Sequence, residues 1–323
     1  MIKKIAILTS GGDAPGMNPT IRAIVRSANV NNIEAYLVLN GYKGLVEGDI
    51  KPADSINLDH YINRGGTCIF SARYPEFKDP EVRLKAKQKL DQLGIEALVV
   101  IGGDGSYQGA QLLNNIGIKT IALPGTIDND ISSTDFTIGF DTTLNTIVEN
   151  IDKIRDTSRS HQRATIVEVM GRYAGDLAVY SGIATGSELI ITSENKMGVD
   201  EIAKVIDQQI NHLNKDSVIV IVTEHIYPDV NSIAKEIETK TGVCTRATVL
   251  GHLQRGGTPS AMERYMATKM GDFAIELLIK NQSGLAIGLV KNELTAFPIL
   301  EALSKERVKY LEVIEKFNKI NQK

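Results

Sequence analysis

The chain has 323 residues, of which 42% are hydrophobic and 23% are charged, and its formal net charge is −3. This length predicts about two domains of roughly 150 residues each, and the apolar content is too high for a disordered protein. The slight negative charge argues against a nucleic-acid partner, and the apolar runs are too short for the ~20 residues of a membrane helix. Two cysteines, Cys68 and Cys244, are too few for a disulfide framework, so we expect a cytoplasmic protein.

Short apolar runs alternate with amphipathic segments along the chain, which predicts parallel strands connected by helices. The predicted strands are, in order, Ile5–Leu8, Ala35–Leu39, Ala97–Ile101, Thr120–Leu123, Thr165–Val169, Glu188–Ile191, Ser217–Val222 and Ala247–Leu250. The predicted helices are about Asn18–Ala28, Glu81–Leu93, a helix after Ser106, about Thr143–Arg155, Val199–Leu213 and about Ala261–Ile279. The pattern predicts an α/β protein with two doubly wound, Rossmann-like domains.

Two local details refine these helices. Asn18 suits the N-cap of the first helix, because Pro19 then takes the first helical position. In the second helix Val82, Leu84, Ala86, Leu90 and Leu93 should lie on one side, with Gly94 as the residue that ends it.

Almost every predicted strand ends in a loop rich in Gly, Asp, Thr or Arg. Ligands of open α/β sheets bind at the carboxyl ends of the strands. We therefore expect the following segments to converge on one cleft: Gly11–Asp13, Gly102–Ser106, Thr126–Asp130, Met170–Arg172, Glu224 and His252–Arg255. The two glycine-rich turns can bring backbone N–H groups close to phosphate oxygens, although a tight turn without a ligand would look the same.

Charged residues in these loops suggest the chemistry. Asp104 would repel a phosphate unless Mg²⁺ lay between them. Asp128 and Asp130 flank Asn129, and they are either ordinary turn residues or include a general base. Four arginines near strand beginnings or ends are better explained by an anion pocket than by a solvated surface: Arg163, Arg172, Arg246 and Arg255. His161 and His252 could join that pocket or be ordinary structural histidines. The set suits phosphoryl transfer from a nucleotide to a phosphorylated small molecule.

At these residues the sequence closely resembles the bacterial ATP-dependent 6-phosphofructokinases. The matching segments are Leu8–Asn18, Asn63–Thr67, Ser71–Arg73, Gly102–Ser106, Pro124–Asp130, Met170–Arg172 and Gly251–Gly257. Their combination is specific, whereas any one of them alone would not be. The resemblance implies the committed step of glycolysis, an ATP-binding domain of residues 1–138 plus about 251–300, and a sugar-phosphate domain of residues 139–250 plus about 301–323.

The resemblance also implies a role for each matching residue. ATP would contact Gly12, Arg73, Tyr74, Gly103, Asp104, Gly105 and Ser106, with Asp104 holding Mg²⁺. Fructose 6-phosphate would contact Thr126, Ile127, Asp128, Met170, Gly171, Arg172, Glu224, Leu253 and Gln254, and its phosphate would contact Arg163, Arg246, His252 and Arg255. Asp128 would accept the proton of the sugar 1-hydroxyl, and Thr126, Arg73 and Arg172 would stabilise the transferring phosphoryl group. In the family the arginines that match Arg163 and Arg246 come from a neighbouring subunit, which implies a homotetramer.

The resemblance implies the phosphoryl donor and the regulation by effectors less directly. Gly105 and Gly125 are small where pyrophosphate-dependent relatives carry Asp and Lys, so ATP is the expected donor. A pyrophosphate-dependent enzyme and a non-catalytic sugar-phosphate sensor are the alternatives. Residues that match the family's effector site are Arg22, Arg26, Arg155, Gly186, Ser187, Glu188 and Lys215. Ser55, Leu213 and Ser217 stand where the family often has cationic side chains. A one-residue insertion before Leu213 and Ser217 blurs the alignment at those two positions. We expect a reduced or absent effector response.

Overall fold

The computed structural model describes residues 2–323. The chain divides into two compact units. The first contains the residues up to Ile127, Ile131–Thr142 and Arg255–Arg307, and the second contains Asp128–Asp130, Thr143–Gln254 and Val308–Lys323. The chain thus changes unit at 127/128, 130/131, 142/143, 254/255 and 307/308. The sequence did not suggest that the three residues 128–130 belong with the second unit.

The described residues form strands and helices that are numbered here in chain order. The strands are β1 (Lys4–Ser10), β2 (Glu34–Val38), β3 (Ile50–Pro52), β4 (Ala97–Gly102), β5 (Lys119–Pro124), β6 (Arg163–Val169), β7 (Leu189–Ile191), β8 (Ser217–Thr223), β9 (Thr245–Val249), β10 (Leu285–Val290) and β11 (Glu293–Pro298).

The helices are α1 (Met17–Val30), α2 (Gly41–Glu47), α3 (Pro80–Leu93), α4 (Asp104–Asn114), α5 (Phe140–Ser160), α6 (Asp176–Thr185), α7 (Val199–Asp207), α8 (Val230–Thr241), α9 (Ala261–Ile279), α10 (Ile299–Ser304) and α11 (Leu311–Asn321). A π-helix (Gln208–His212) continues α7, and 3₁₀ turns occur at Ala53–Ser55, Leu58–Tyr61, Pro75–Lys78 and Gly251–Arg255. No helix within residues 2–323 is long and apolar enough to cross a membrane.

The strands of the first unit form one sheet in the order β11-β10-β5-β4-β1-β2-β3. The pairs among β1, β2, β4, β5 and β10 are parallel, whereas β3 and β11 pair antiparallel at the two edges. All of β4 is buried, as expected for a central parallel strand, and each of its large aliphatic side chains stabilises the fold by roughly 1.5–3 kcal/mol before ordering costs. Ser10 lies opposite Gly102, and Gly102 lies opposite Pro124. The loops that follow β1, β4 and β5 therefore start side by side.

The strands of the second unit form a separate, fully parallel sheet in the order β7-β8-β6-β9. Val169 at the end of β6 lies opposite Thr223 at the end of β8, and Glu168 lies opposite Val249 at the end of β9. The loops after these three strands start at the same edge. Two sheets with connecting helices confirm the predicted mixed α/β class.

Two helix details differ from the prediction. Helix α1 begins at Met17, and its N-cap is Gly16, so the interpretation of Asn18 as the cap was wrong. The Asn18 side chain is needed elsewhere, as described below. In α3, Leu84 and Leu93 are 49% and 38% exposed. Ala86 and Leu90 are buried as predicted, and Arg83 is buried as well, with its Nη1 donating to the carbonyl of Phe77.

Candidate active site

In the loop Gly102–Ser106, called here the glycine loop, the backbone lies very close to the end of β1. A Cβ atom on Gly102 would lie 2.5 Å from the Ser10 carbonyl oxygen, so only glycine fits there. Ser106 Oγ donates to that same oxygen over 3.1 Å and joins the glycine loop to the end of β1. At Gly103 and Gly105, by contrast, an added Cβ would meet nothing within 4 Å. The backbone at these two positions faces open space.

The glycine loop ends in the N-terminus of α4, whose N-cap Gly103 has no side-chain capping hydrogen bond. The first backbone N–H groups of a helix lack intrahelical partners, and the helix dipole favours an anion beside them. Asp104 and Gly105 are both exposed in this first turn. Residues 2–323 contain no group of three metal-ligating side chains. A single carboxylate such as Asp104 still fits Mg²⁺, which takes most of its ligands from water and substrate phosphates.

Arg255 contacts the loop that follows β1 and lies next to the glycine loop. Arg255 Nη1 donates to the Asp13 carbonyl over 3.1 Å, and a Cβ on Gly12 would lie 2.5 Å from the same nitrogen. Ser71 Oγ donates to the Gly11 carbonyl over 2.7 Å. The structure thus places Arg255 in the first unit, against Gly12. Arg73 is exposed in the same unit.

Two side chains that the sequence did not single out for the site hold these loops. Asn18 Nδ2 donates to the Arg64 carbonyl over 3.0 Å, and Asn18 Oδ1 accepts from the Cys68 N–H over 2.7 Å. Asn18 therefore fixes the segment that leads to Arg73. The only sequence signal was its place in the matching motif Leu8–Asn18, where we interpreted it as a cap.

The second is Glu263, which is 2% exposed. Its carboxylate accepts from the Gly139 N–H over 2.8 Å and from the Thr142 N–H over 3.3 Å. Burial raises its pKa to about 7. Residues Ser260 and Glu263 have the spacing of a capping box, which predicts a local role at the start of α9. The side chain instead caps the first turn of α5, so its role depends on a contact distant in sequence.

Thr126 is hydrogen-bonded to the two residues that precede the segment supported by Glu263. Its N–H donates to the Ile138 carbonyl over 3.1 Å, and Thr137 Oγ1 donates to the Thr126 carbonyl over 2.6 Å. Ile138 directly precedes Gly139, the residue bound by Glu263. The position of Thr126 is therefore fixed through its backbone.

In the second unit, Glu224 fixes the turn Met170–Arg172. Glu224 Oε1 accepts from the N–H groups of Gly171 and Arg172 over 3.2 and 2.9 Å. Gly171 has φ +136° and Arg172 has φ +53°, so both have conformations that L side chains rarely adopt. Glu224 was predicted as a sugar contact, and in this structure it orients the backbone of the turn.

The segment Asp128–Asp130 is held on two sides within the same unit. Asn129, at φ +51°, donates from Nδ2 to Asp176 Oδ1 over 3.0 Å. Asp130 Oδ2 lies 3.9 Å from Arg172 Nη1. Asp128 directly precedes these two anchored residues, and it is 3% exposed. Asp128 therefore belongs to a fixed segment, as a positioned base requires.

Gln254 has a supporting position as well. It is fully buried, its Oε1 accepts from the Met170 N–H over 3.1 Å, and its Nε2 donates to the Gly251 carbonyl over 3.0 Å. His252 and Leu253 are exposed beside it. The structure brings the turn Gly251–Gln254 to Met170, as their positions at strand ends predicted.

One chain by itself does not bring Arg163 and Arg246 to Arg172 in the second unit, so the anion pocket of four arginines stays a prediction. Arg163 begins β6 and Arg246 is the second residue of β9, so both lie at the amino ends of their strands. Arg172 follows the carboxyl end of β6, which spans 7 residues, or about 20 Å at ~3.3 Å per residue. Arg246 Nη1 lies 2.7 Å from Glu238 Oε2. Arg163 Nη2 donates to Thr157 Oγ1 over 3.2 Å.

In both units, charged residues that match an effector site form ion pairs with other residues of the same chain. In the second unit, Glu188 is 5% exposed and lies 3.8 Å from Arg155 and 3.6 Å from Lys215. Gly186 and Ser187 form the turn before it, with Gly186 at φ +62°. The π-helix Gln208–His212 precedes Leu213, and its wider turn can take up the inserted residue there.

In the first unit, the matching cations share one carboxylate. Arg22 and Arg26 lie 2.6 and 2.5 Å from the two oxygens of Asp59, and Arg22 lowers the pKa of that carboxyl. Ser55, where the family usually has arginine, donates to the Pro52 carbonyl. Any anion at this place would compete with Asp59 for both guanidinium groups.

Comparison with known proteins gives one consistent family. The model of the phosphofructokinase family matches residues 4–278. The ATP-dependent 6-phosphofructokinase of Mycoplasmopsis pulmonis is 57% identical over the full length of both chains. The ATP-dependent 6-phosphofructokinase of Spiroplasma citri is 52% identical, over 100% of this chain and 98% of its own.

Solved structures agree in fold. The phosphofructokinase of Saccharomyces cerevisiae has a TM-score of 0.86 at 33% identity, covering 99% of this chain. This chain spans about half (48%) of that yeast chain. A pyrophosphate-dependent phosphofructokinase from Marinobacter aquaeolei has a TM-score of 0.84 at 21% identity, over 96% of this chain and 86% of its own, which shows the shared fold alone.

Proposed function

The chain belongs to the phosphofructokinase family, and we propose that it transfers the γ-phosphoryl group of ATP to the 1-hydroxyl of fructose 6-phosphate. The observation that carries the proposal is the exposed start of α4 at Gly103–Gly105, where open space adjoins a helix N-terminus. This arrangement suits the phosphates of a nucleotide, because backbone N–H groups and the helix dipole both favour an anion.

The nucleotide half of the reaction uses the first unit. Backbone groups of the glycine loop bind the phosphates. The segment with the exposed Arg73 is joined to the segment with Gly12, because Ser71 Oγ donates to the Gly11 carbonyl. Asp104 would hold Mg²⁺ together with the phosphates. When bound, the metal ion neutralises charge on the phosphate oxygens.

The sugar half of the reaction centres on Asp128, which accepts the proton of the 1-hydroxyl. The fixed segment Asp128–Asp130 supports this role, because a general base must be held within hydrogen-bond reach of its proton. Arg172 and Thr126 stabilise charge on the transferring group. Phosphoryl transfer depends mainly on such positioning and electrostatics.

The 6-phosphate of the sugar requires further cations. Arg163 and Arg246 lie at the edge of their sheet opposite to Arg172, and both have local partners within the chain. We propose that they act on the site of a neighbouring copy in a homotetramer. Their distance from Arg172 along the sheet supports a role outside the chain's own site.

Gly125 and Gly105 support ATP over pyrophosphate as the donor. A Cβ on Gly125 would lie 2.8 Å from Ile101 Cγ2 and 3.1 Å from the Gly102 nitrogen. A lysine there would force its neighbours apart. At Gly105, a Cβ has room, so a glycine is not required by packing and leaves space for the rest of the nucleotide.

An assay with fructose 6-phosphate and either Mg-ATP or Mg-pyrophosphate tests the proposal. We expect turnover with ATP alone, and a loss of about 10²–10⁴-fold in kcat for Asp128→Ala. Turnover with pyrophosphate would favour the first alternative. Binding of fructose 6-phosphate without turnover by either donor would favour a sugar-phosphate sensor. A near-wild-type rate for Asp128→Ala would remove that residue from its role.

We also propose a weak response to effectors. Arg22, Arg26, Arg155 and Lys215 already face carboxylates, and Ser55 supplies no charge. We expect ADP or phosphoenolpyruvate to shift the half-saturating fructose 6-phosphate concentration by less than about twofold at physiological salt. A shift of tenfold in either direction would contradict this.

A further inference from the structure

A buried carboxylate connects the Asp128–Asp130 segment to the C-terminal part of the chain. Asp176 is 3% exposed and stands at the first position of α6. Its Oδ1 accepts two hydrogen bonds of 3.0 Å, one from Asn129 Nδ2 and one from the hydroxyl of Tyr310. The segment, α6 with Asp176, and the residues before α11 all belong to the second unit.

The position of Asp176 explains how a charge can be buried there. The N-terminus of a helix stabilises an anion, and hydrogen bonds to a carboxylate are stronger than those between neutral groups. Tyr310 is itself fixed: its N–H donates to Glu194 Oε2 over 2.7 Å, and its ring packs edge-on against Tyr180 with centroids 6.2 Å apart. Burial and the nearby Asp176 carboxylate raise the pKa of Tyr310 far above its ordinary value, so its hydroxyl stays a donor.

Asn129 has a left-handed backbone conformation at φ +51°, which asparagine adopts more readily than most L residues. The bond to Asp176 fixes the direction in which the chain enters and leaves Asn129. Asp128 directly precedes Asn129, so the same bond limits where the Asp128 carboxylate can lie.

We propose that Asp176 and Tyr310 are positioning residues for the phosphoryl transfer, which they support by holding Asn129 and thereby Asp128. The inference rests on the proposed function. Neither residue is assigned contact with substrate. Tyr310 acts through Asp176, and Asp176 acts through Asn129.

The test compares Asp176→Ala, Asp176→Asn and Tyr310→Phe with wild type in the Mg-ATP assay. Asp176→Ala removes the acceptor, and we expect kcat to fall about 10²-fold with KM values for both substrates within about twofold. Asp176→Asn keeps an acceptor oxygen and should recover most of this loss. Tyr310→Phe keeps the ring and should lower kcat by roughly tenfold.

Tyr227→Phe is the matched control. Tyr227 is in the same unit, and its hydroxyl donates to the Met197 carbonyl over 2.7 Å, so the change removes a comparable hydrogen bond away from Asp176. We expect a lowered melting temperature and an unchanged kcat for this variant. A kcat loss of the same size in Tyr227→Phe and Tyr310→Phe would reduce Tyr310 to a structural role and overturn the proposal, as would an unchanged kcat in folded Asp176→Ala.

Hydrogen–deuterium exchange separates this inference from the proposed function. Amide exchange in residues 128–130 should accelerate at least about tenfold in Tyr310→Phe and Asp176→Ala and stay unchanged in Tyr227→Phe. This readout needs no turnover. An inactive wild-type chain would overturn the proposed function, and unchanged exchange in both variants would overturn the positioning role independently.

Discussion

The glycine loop of the first unit and the Asp128–Asp130 segment of the second keep their shapes by different means. The glycine loop is held by close backbone packing at Gly102 and by two hydroxyls, since Ser106 Oγ donates to the Ser10 carbonyl and the Tyr42 hydroxyl donates to the Ser106 carbonyl. The Asp128–Asp130 segment is held by side chains, with Asn129 bound to Asp176 and Asp130 beside Arg172. One region depends on the absence of side chains, and the other depends on their polar contacts.

This difference follows from what each region has to present. A phosphate is bound by backbone N–H groups, which a side chain would cover. A general base presents its own side chain, whose direction must be fixed by neighbouring groups. The two regions should therefore respond to different substitutions: added atoms in the first, and altered turns or lost hydrogen bonds in the second.

The largest effect is expected from Gly171→Ala, beside the segment in the second unit. Gly171 has φ +136°, and a Cβ would lie 2.6 Å from the Ala174 carbonyl oxygen. The turn must shift, which moves Arg172, so we expect a kcat loss of about 10²-fold and destabilisation of roughly 2 kcal/mol. Gly242→Ala, at φ +70° with open space around it, is the control and should leave kcat unchanged. Equal kinetic effects in both variants would refute the argument.

Glu263 is a buried ionisable side chain in the first unit, and it allows a test by pH. Its pKa is about 7 in the folded chain and near its ordinary value of 4.5 when unfolded. Between pH 4.5 and pH 7 the folded chain binds one proton more than the unfolded chain does, at Glu263. The stabilisation from this proton is therefore fully present below pH 4.5 and is lost as the pH rises through 7. The substitution Glu263→Gln removes this part of the pH dependence of the unfolding free energy. The wild-type unfolding free energy, measured with denaturant, should fall by roughly 2–3 kcal/mol relative to Glu263→Gln between about pH 5 and about pH 8. Parallel pH profiles would show that Glu263 does not titrate in this range.

The smallest effect on the fold is expected at Gly105. Gly105→Asp meets no atom within 4 Å, so the unfolding free energy should change by less than about 0.5 kcal/mol. The kcat/KM for ATP should nevertheless fall by at least about tenfold, because the new charge repels phosphate. Asparagine is similar in size to aspartate but carries no charge, so Gly105→Asn should lose less kcat/KM for ATP. Gly125→Ala gives the opposite pattern, with roughly 1–3 kcal/mol of destabilisation. A destabilised Gly105→Asp would show that the loop is packed after all.

The sequence predicted the elements whose signals are local. Apart from β10, the strands that pair in parallel were predicted from short apolar runs, and α9 was predicted with the bounds it has, about Ala261–Ile279. Short edge strands such as β3 and β11 and the polar helices α8 and α11 were not predicted, because exposed or half-exposed elements have weak apolar periodicity. The predicted site residues remain assignments from motifs, and the structure adds which of them share a unit and which lie at opposite strand ends.

The sequence alone determined the class of fold, the loops at the strand ends and the family resemblance, since each of these is written in consecutive residues. The tertiary structure alone decided the residues that support those loops. Glu263 binds Gly139 across 124 positions, and Tyr310 reaches Asp176 across 134. Such side chains carry no motif, because a buried hydrogen bond depends only on where the folded chain brings its donor and acceptor.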